Sequence, residues 1–155
     1  MSTSQNDLPW MLDDLVEVPH VVSVVVLSTD GLIIQKSTFM SQDIAEILAA
    51  GASSMYSVAA GTGRRFGSGP VQQVIIEYLD RTLFIAAAGQ NARLAVMCDR
   101  DVDMGMVAYE VSRLVTRIGE YLGTSVRASA LVADSHAGHG ALLTRAGQHN
   151  ATPES

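Results

Sequence analysis

The sequence predicts an α+β protein built on one antiparallel sheet. Apolar runs of strand length follow one another through turns that are too short to hold a crossover helix. Patterns of helical period precede, interrupt and close these runs, which gives the element order α-β-β-α-β-β-β-α. Strands joined by short turns must lie antiparallel, so this order excludes a doubly wound parallel sheet.

The first three elements are a helix and a β-hairpin, expected at residues 7–18, 20–28 and 32–36. Pro9 is tolerated in the first turn of a helix that Asp7 caps. The run VVSVVVLS is apolar on both faces, as a central strand requires, and Gly31 closes the turn that leads to the second strand. Lys36 marks that second strand as an edge of the sheet.

The middle helix, expected from Ser41 to Gly61, carries two apolar stripes side by side. One stripe has mostly large side chains and consists of Ile44, Ile47, Leu48, Met55 and Val58. The other has mostly small side chains and consists of Ala45, Ala49, Ala52, Tyr56 and Ala60. Because this surface is wider than one sheet face needs, and small residues let another backbone come close, we expect the helix to touch both its own sheet and a partner helix. The alternative is a plain alanine-rich helix, since alanine is the best helix former.

The second half of the chain predicts a glycine-rich connection, three strands and a closing helix. The connection spans residues 61–70, and the strands are expected at residues 71–78, 82–88 and 92–98. Asp99 or Asp101 would cap the closing helix, and Gly123 would stop it. Residues 8–123 then form one domain, and residues 124–155, where the periodicity ends, form a flexible tail.

Composition and charge exclude several classes of function. The chain has 155 residues and a net charge of −6, whereas nucleic acids and anionic membrane surfaces need a basic face. No apolar run approaches the length of a membrane helix, about 20 residues, and the polar N-terminus shows no secretory signal. The single cysteine rules out an intrachain disulfide and fits a reducing compartment, so we expect a cytoplasmic protein without membrane insertion.

The reactive residues of the chain do not assemble into a catalytic site. The glycine-rich stretch 61–65 follows a helix and precedes a strand, which is the reverse of a phosphate-binding loop. Cys98 lies in an apolar run, where a buried structural cysteine is the usual outcome. His136 and His139 could ligate a metal, but further ligands on an ordered scaffold are missing from the sequence around them. We therefore expect no enzyme activity, no cofactor and no metal.

The region from Leu8 to Leu122 resembles the roadblock/LC7 family. The resemblance rests on the hairpin VVSVVVLSTDGLIIQKS, the helix IAEILAAGASSMYSVAAG, the strand pair VQQVIIEYLDRTLFIAAAG and the closing segment ARLAVMCDRDVDMGMVAYEVSRL. In the closing segment, Asp103, Gly105 and Glu110 look like the family's entry to the last helix. In detail the chain is similar to the small roadblock proteins that are encoded beside Ras-like GTPases in conserved actinobacterial operons.

The resemblance implies a profilin-like fold, in which a five-stranded antiparallel sheet carries the middle helix on one face and the terminal helices on the other. It also implies a homodimer in which the middle helices lie side by side and the third strands pair across the two-fold axis. An isologous contact of this kind needs only one self-complementary patch. The residues expected at dimer and partner contacts are Ala45, Leu48, Ala49, Ala52, Tyr56, Gln73 and Ile75.

Family members serve as platforms for small GTPases or activate them, generally without supplying a catalytic side chain. The resemblance therefore implies a non-enzymatic regulator that binds a Ras-like GTPase on the paired middle helices, with a sensor-kinase-like protein of the same operon as a further partner. The alternative is a small-molecule-sensing signalling module, because related α+β domains of this size hold ligands between sheet and helix. A pocket between the sheet and the middle helix would distinguish the two hypotheses.

Overall fold

The computed structural model describes residues 7–123, and its elements follow the predicted order. The helices are α1 (Asp7–Val16), α2 (Gln42–Arg65) and α3 (104–123), the last of which reaches the end of the described residues. The strands are β1 (Val21–Ser28), β2 (Ile33–Lys36), β3 (Gln73–Glu77), β4 (Arg81–Ala87) and β5 (Ala92–Asp99). The predicted tail, residues 124–155, and the histidines in it lie outside the described residues.

The five strands form one antiparallel sheet in the order β2-β1-β5-β4-β3. One row of paired residues across the four longer strands consists of Val25, Ala95, Ile85 and Val74. The next row consists of Val24, Val96, Phe84 and Ile75. Because side chains alternate along a strand, the two rows face opposite sides of the sheet. The edges are β3 and β2, which confirms the edge position predicted for Lys36.

α2 covers one face of the sheet. Its buried residues recur at steps of three and four, and they are Ala45, Leu48, Ala49, Ala52 and Tyr56. They pack against inward residues of the central strands such as Val25, Leu83 and Ala95. The Tyr56 hydroxyl donates a hydrogen bond to the carbonyl of Val71 at 2.9 Å, which satisfies its polar group at the edge of this core. α2 lies closest to β1 and also contacts β2, β5 and β3.

The opposite face of the sheet carries the two terminal helices. Its inward row is buried, although α2 does not cover it, and includes Val24, Val26, Phe84, Leu94 and Val96. The buried residues of α1 and α3 recur at helical spacing and include Leu8, Leu12, Leu15, Val107, Val111, Leu114 and Ile118. This layering, with one helix on one face and two on the other, confirms the architecture that the family resemblance implied.

α2 runs to Arg65, beyond the predicted end at Gly61, so the first part of the expected glycine-rich connection is helical. The helix stops where Gly67 adopts a φ of 63°, which favours glycine. The N–H of Gly67 then donates to the carbonyl of Arg64 at 3.3 Å, and the N–H of Ser68 donates to that of Gly63 at 2.9 Å. These two bonds form a Schellman motif, which satisfies carbonyls that the helix end would leave unpaired.

Asp103 caps α3, which corrects the prediction of Asp99 or Asp101. The Oδ1 atom of Asp103 accepts hydrogen bonds from the N–H groups of Gly105 at 3.0 Å and Met106 at 3.2 Å. A carboxylate in this position stabilises the positive end of the helix dipole as well as the free N–H groups. The cap was misplaced because three aspartates precede the helix and periodicity alone does not fix where its first turn begins.

Candidate functional site

α2 presents an apolar face that the protomer leaves largely exposed. Ile44, Ile47 and Val58 are 55%, 69% and 71% exposed, although α2 is a core helix. Gly51 and Met55 lie between them at helical spacing and are half-buried. We call these five residues the exposed α2 face. An exposed row of large apolar side chains on one helix is typical of a protein-interaction surface.

The structure corrects which stripe of α2 is available to a partner. The predicted contact residues on the helix are buried against the chain's own sheet, and they are Ala45, Leu48, Ala49, Ala52 and Tyr56. Alanines let a helix approach a sheet closely, so this stripe fits the sheet with dense packing. Three residues of the stripe with large side chains, Ile44, Ile47 and Val58, are exposed instead.

The other predicted contact residues lie on β3, an edge of the sheet. Gln73 is exposed, and Ile75 is 42% exposed on the face opposite α2. On the α2 face, Val74 and Ile76 of this edge strand are only partly buried. An edge strand with uncovered apolar side chains is able to pair with another strand. The assignment of Gln73 and Ile75 to a dimer contact stays a prediction.

The two ends of α2 carry opposite charge. Asp43 and Glu46 are exposed near its N-terminus, and Arg64 and Arg65 are exposed in its last turn. This distribution stabilises the helix dipole at both ends. It also makes the exposed side of α2 electrostatically complementary to a second copy of the same helix that runs in the opposite direction.

The loop between β2 and α2 is held in place while Phe39 projects fully into solvent, at 100% exposure. On one side of Phe39, the N–H of Thr38 donates to Oδ1 of Asp13 at 2.9 Å, and the Thr38 hydroxyl donates to the same carboxylate. On the other side, the Lys36 ammonium donates to the carbonyl of Met40 at 2.6 Å. A rigid loop that exposes an aromatic ring loses little entropy on binding, so Phe39 is a further candidate contact residue. The sequence feature that could have indicated this contact residue is a single phenylalanine in a short loop.

A cleft of about 140 Å³ lies between α1 and α3. Its lining is mixed and consists of Met11, Asp14, Leu15, Glu110, Arg113, Leu114 and Arg117. The Arg117 guanidinium lies 5.9 Å from the centre of the Trp10 ring at this surface. The small-molecule hypothesis required a pocket between the sheet and the middle helix, whereas this cleft lies on the other face of the sheet. Where α2 meets the sheet, buried side chains pack against one another.

Cys98 is buried in the sheet and unsuited to nucleophilic chemistry. Burial, together with the adjacent charge of Asp99, raises the pKa of the Cys98 thiol from 9.0 to about 11. The thiol therefore stays protonated at neutral pH, and the thiolate is the nucleophile. Asp99 itself pairs with Arg81 at 2.7 Å. Residues 7–123 contain no group of three His, Cys, Asp or Glu side chains that could hold a metal ion.

Length and composition alone would let α2 cross a membrane, since its most apolar window has a mean hydropathy of 1.2. The apolar window of α2 is not obvious in the sequence because glycine, serine and acidic residues interrupt it. In the structure α2 packs on the sheet as a core helix, yet only 28% of the same window is buried. The apolar residues of this window that the core does not bury belong to the exposed α2 face and to the small residues beside it.

Comparison with known proteins identifies the fold and the family. The family model described as the Roadblock/LC7 domain matches residues 8–97. The crystal structure of a Roadblock/LC7 domain from Streptomyces avermitilis is 39% identical, covers 74% of this chain and 97% of that chain, and superposes with a TM-score of 0.71. No curated protein matches the sequence significantly.

Two solved structures with low sequence identity share the fold. Myxococcus xanthus MglB is 14% identical, with 77% of this chain and 98% of that chain covered and a TM-score of 0.71. A structure described as MglB with tetrameric arrangement is also 14% identical, with 72% and 85% covered and a TM-score of 0.66. Because the family model spans more than half of the 155 residues, and a domain of that name is similar over most of its length, the chain belongs to the Roadblock/LC7 domain family.

Proposed function

We propose that this protein is a homodimeric, non-enzymatic regulator that binds a Ras-like small GTPase. The exposed α2 face is the observation that carries the proposal, because folding of one chain leaves this large apolar surface uncovered. Membership of the Roadblock/LC7 family supports the choice of partner, since family members act as platforms for small GTPases or activate them.

Two copies of the chain pack through the exposed α2 face in this proposal. The partly buried residues of β3, Val74 and Ile76, extend the apolar surface on the same side of the sheet. The position of β3 at the edge of the sheet supports a contact in which Gln73 and Ile75 meet a second β3. The tetrameric arrangement described for MglB supports self-association on this fold, although it is a property of that protein.

The GTPase binds on the solvent side of α2, which the dimer contact leaves free. This side carries exposed, mostly small residues that belong neither to the core nor to the exposed α2 face, among them Glu46, Ala50 and Ser57. A flat surface of small side chains can hold the loops of a partner in place. Its effect on GTP turnover would come from positioning the GTPase's own catalytic groups.

Replacing Ala50 by Arg tests the GTPase surface separately from the dimer. The side chain is exposed and helical, so we expect the fold and the dimer to persist. The added cation and bulk should weaken the complex with the GTPase by at least about tenfold. Calorimetric titration with a purified bacterial Ras-like GTPase, together with its GTP turnover, measures the effect.

The matched control is Thr116→Arg, the same kind of change at an exposed position of α3 on the other face of the sheet. This variant should bind the GTPase as the wild type does. The proposed partner is wrong if the wild-type protein forms no complex. If the wild type binds and Ala50→Arg binds equally well, the GTPase contacts another surface.

A further inference from the structure

The cleft between α1 and α3 places charges of both signs around an apolar floor. It holds about 140 Å³ and lies on the face of the sheet opposite α2. The apolar side chains that line it are buried, and they are Met11, Leu15 and Leu114. The charged side chains that line it reach solvent, and they are Asp14, Glu110, Arg113 and Arg117. Two carboxylates and two guanidiniums cancel in charge, so the cleft favours neither a simple anion nor a simple cation.

The charged groups of the cleft are attached to two helices that hold them in place. On α1, Asp14 lies at helical spacing from Met11, and on α3, Arg113 and Arg117 lie one turn apart. Both helices are packed on the sheet through buried side chains. Groups that project from packed helices keep their positions better than groups on loops, so the cleft is organised before a ligand arrives.

Asp14 and Arg117 line the same cleft, but they do not pair with each other. Within the described residues, the ion pair of the lining joins Arg113 to Glu110. Its nitrogen and oxygen atoms lie 3.7 Å apart and both side chains are partly exposed, so this pair contributes little stability. A carboxylate on α1 and a guanidinium on α3 are therefore available to a ligand that carries both charges.

The volume of the cleft limits the ligand to a small molecule. Pockets for drug-sized ligands hold roughly 300–1,000 Å³, whereas an apolar cavity of about 150 Å³ is enough for benzene. The cleft, at about 140 Å³, therefore fits a ligand with one short apolar group beside its charges. An α-amino acid with an aliphatic side chain has this composition, because it combines an ammonium, a carboxylate and a short apolar group.

We propose that this cleft binds a free α-amino acid with an aliphatic side chain. The ligand carboxylate accepts hydrogen bonds from the guanidiniums of Arg117 and Arg113, whose planar shape suits a carboxylate. The ligand ammonium donates to the carboxylate of Asp14, and the ligand side chain packs on Leu15 and Leu114. The inference goes beyond the proposed GTPase regulator and does not rest on it, because it assigns a ligand to the opposite face of the sheet.

Trp10 gives the cleft a natural fluorescent reporter. It is the only tryptophan of the chain and is 59% exposed. The Arg117 guanidinium lies 5.9 Å from the centre of its ring, within the range of a cation–π contact. A ligand carboxylate that binds Arg117 changes the charge beside the indole, so binding should shift the tryptophan emission.

Titration of the full-length protein with L-leucine, L-isoleucine and L-valine tests the proposal. At least one of them should change the Trp10 fluorescence in a saturable way, and calorimetry should give a dissociation constant below about 1 mM. The amide of that amino acid lacks the carboxylate, and its N-acetyl derivative lacks the ammonium. Both derivatives should bind at least about tenfold more weakly, since each leaves a charged group of the cleft without a partner.

Two substitutions test the residues of the cleft by calorimetry. Arg117→Gln removes the cation that holds the ligand carboxylate, and Asp14→Asn removes the anion that holds the ammonium. Each should weaken binding by at least about tenfold while the circular dichroism spectrum stays that of the wild type. The matched controls are Arg100→Gln and Glu17→Gln, which change exposed residues outside the lining and should bind the amino acid as the wild type does.

Saturable binding that needs both ligand charges and both cleft residues supports the proposal. Absence of saturable binding for all three amino acids up to about 10 mM overturns it. Equal binding of the amide or the N-acetyl derivative, or unchanged binding by Arg117→Gln or Asp14→Asn, overturns it as well. The result is independent of the dimer and GTPase experiments, because none of these substitutions lies on α2.

Discussion

Two glycines let α3 lie directly on the turn between β4 and β5. A Cβ at Gly119 would lie 3.3 Å from the Cα of Gly89, and a Cβ at Gly89 would lie 3.1 Å from the Cα of Gly119. Gly89 also has a φ of 75°, which side chains disfavour. Both residues must therefore lack a side chain for the two backbones to touch, and the contact holds the C-terminal half of α3 on the sheet.

Replacing Gly119 by Ala should destabilise the protein. The added methyl group meets backbone atoms that cannot rotate away, so α3 must shift, and we expect the free energy of unfolding to fall by about 1–3 kcal/mol. Chemical denaturation followed by circular dichroism measures the change. Gly61→Ala is the control, because its Cβ would meet only the flexible end of Arg64 at 3.7 Å. An equal loss in the two variants would show that the close contact does not decide stability.

At the scale of single elements, the sequence predicted all helices and strands in the right order, but helical periodicity did not settle how α2 is oriented. Two apolar stripes lie side by side on α2, and either could have met the sheet. Close packing decides: the alanine side brings the helix near the sheet, with Leu48 and Tyr56 filling the space that remains. The sequence pattern shows which residues of α2 are apolar. How closely each side of the helix can approach the sheet depends on the side chains of the neighbouring strands, which the pattern does not show.

The ends of the helices were also harder to predict than their existence, because several neighbouring residues are able to end or cap a helix. Gly61 and Gly63 are helical in α2, and only Gly67 has the positive φ that ends the helix. The side-chain cap of α2 was predictable, because Ser41 lies three residues before Ile44, where the apolar repeat begins: its side chain accepts from the N–H of Ile44 at 3.3 Å.

The cap of α3 gives a direct test at this scale. Asp103→Ala removes the acceptor for two N–H groups and should lower the free energy of unfolding by about 1 kcal/mol. Asp101→Ala removes an exposed carboxylate two residues earlier and should change it by less than about 0.5 kcal/mol. Thermal unfolding of both variants beside the wild type makes the comparison. A larger effect at Asp101 would return the cap to the residue that the sequence favoured.

At the scale of the whole molecule, the antiparallel sheet follows from the sequence because three short turns force antiparallel pairing, whereas the distribution of the helices over its two faces was implied by the family resemblance. The surface that remains uncovered was less predictable. The uncovered surface depends on which side of α2 is buried. Phe39 is a candidate contact residue because hydrogen bonds on both sides of it hold its loop, and the sequence does not show these bonds. The cytoplasmic location and the sensor-kinase-like partner stay predictions.

In the proposed assembly, the exposed α2 face joins two copies of the chain. Sedimentation equilibrium of the wild type and of Ile47→Asp, at micromolar concentration, tests it most directly. Ile47 is 69% exposed in the protomer, so the substitution should leave the fold intact. A carboxylate buried in a dimer contact should raise the dissociation constant by at least about a hundredfold. We expect twice the chain mass of 16.4 kDa for the wild type and the single chain mass for the variant. A monomeric wild type, or a variant that stays dimeric, would contradict it.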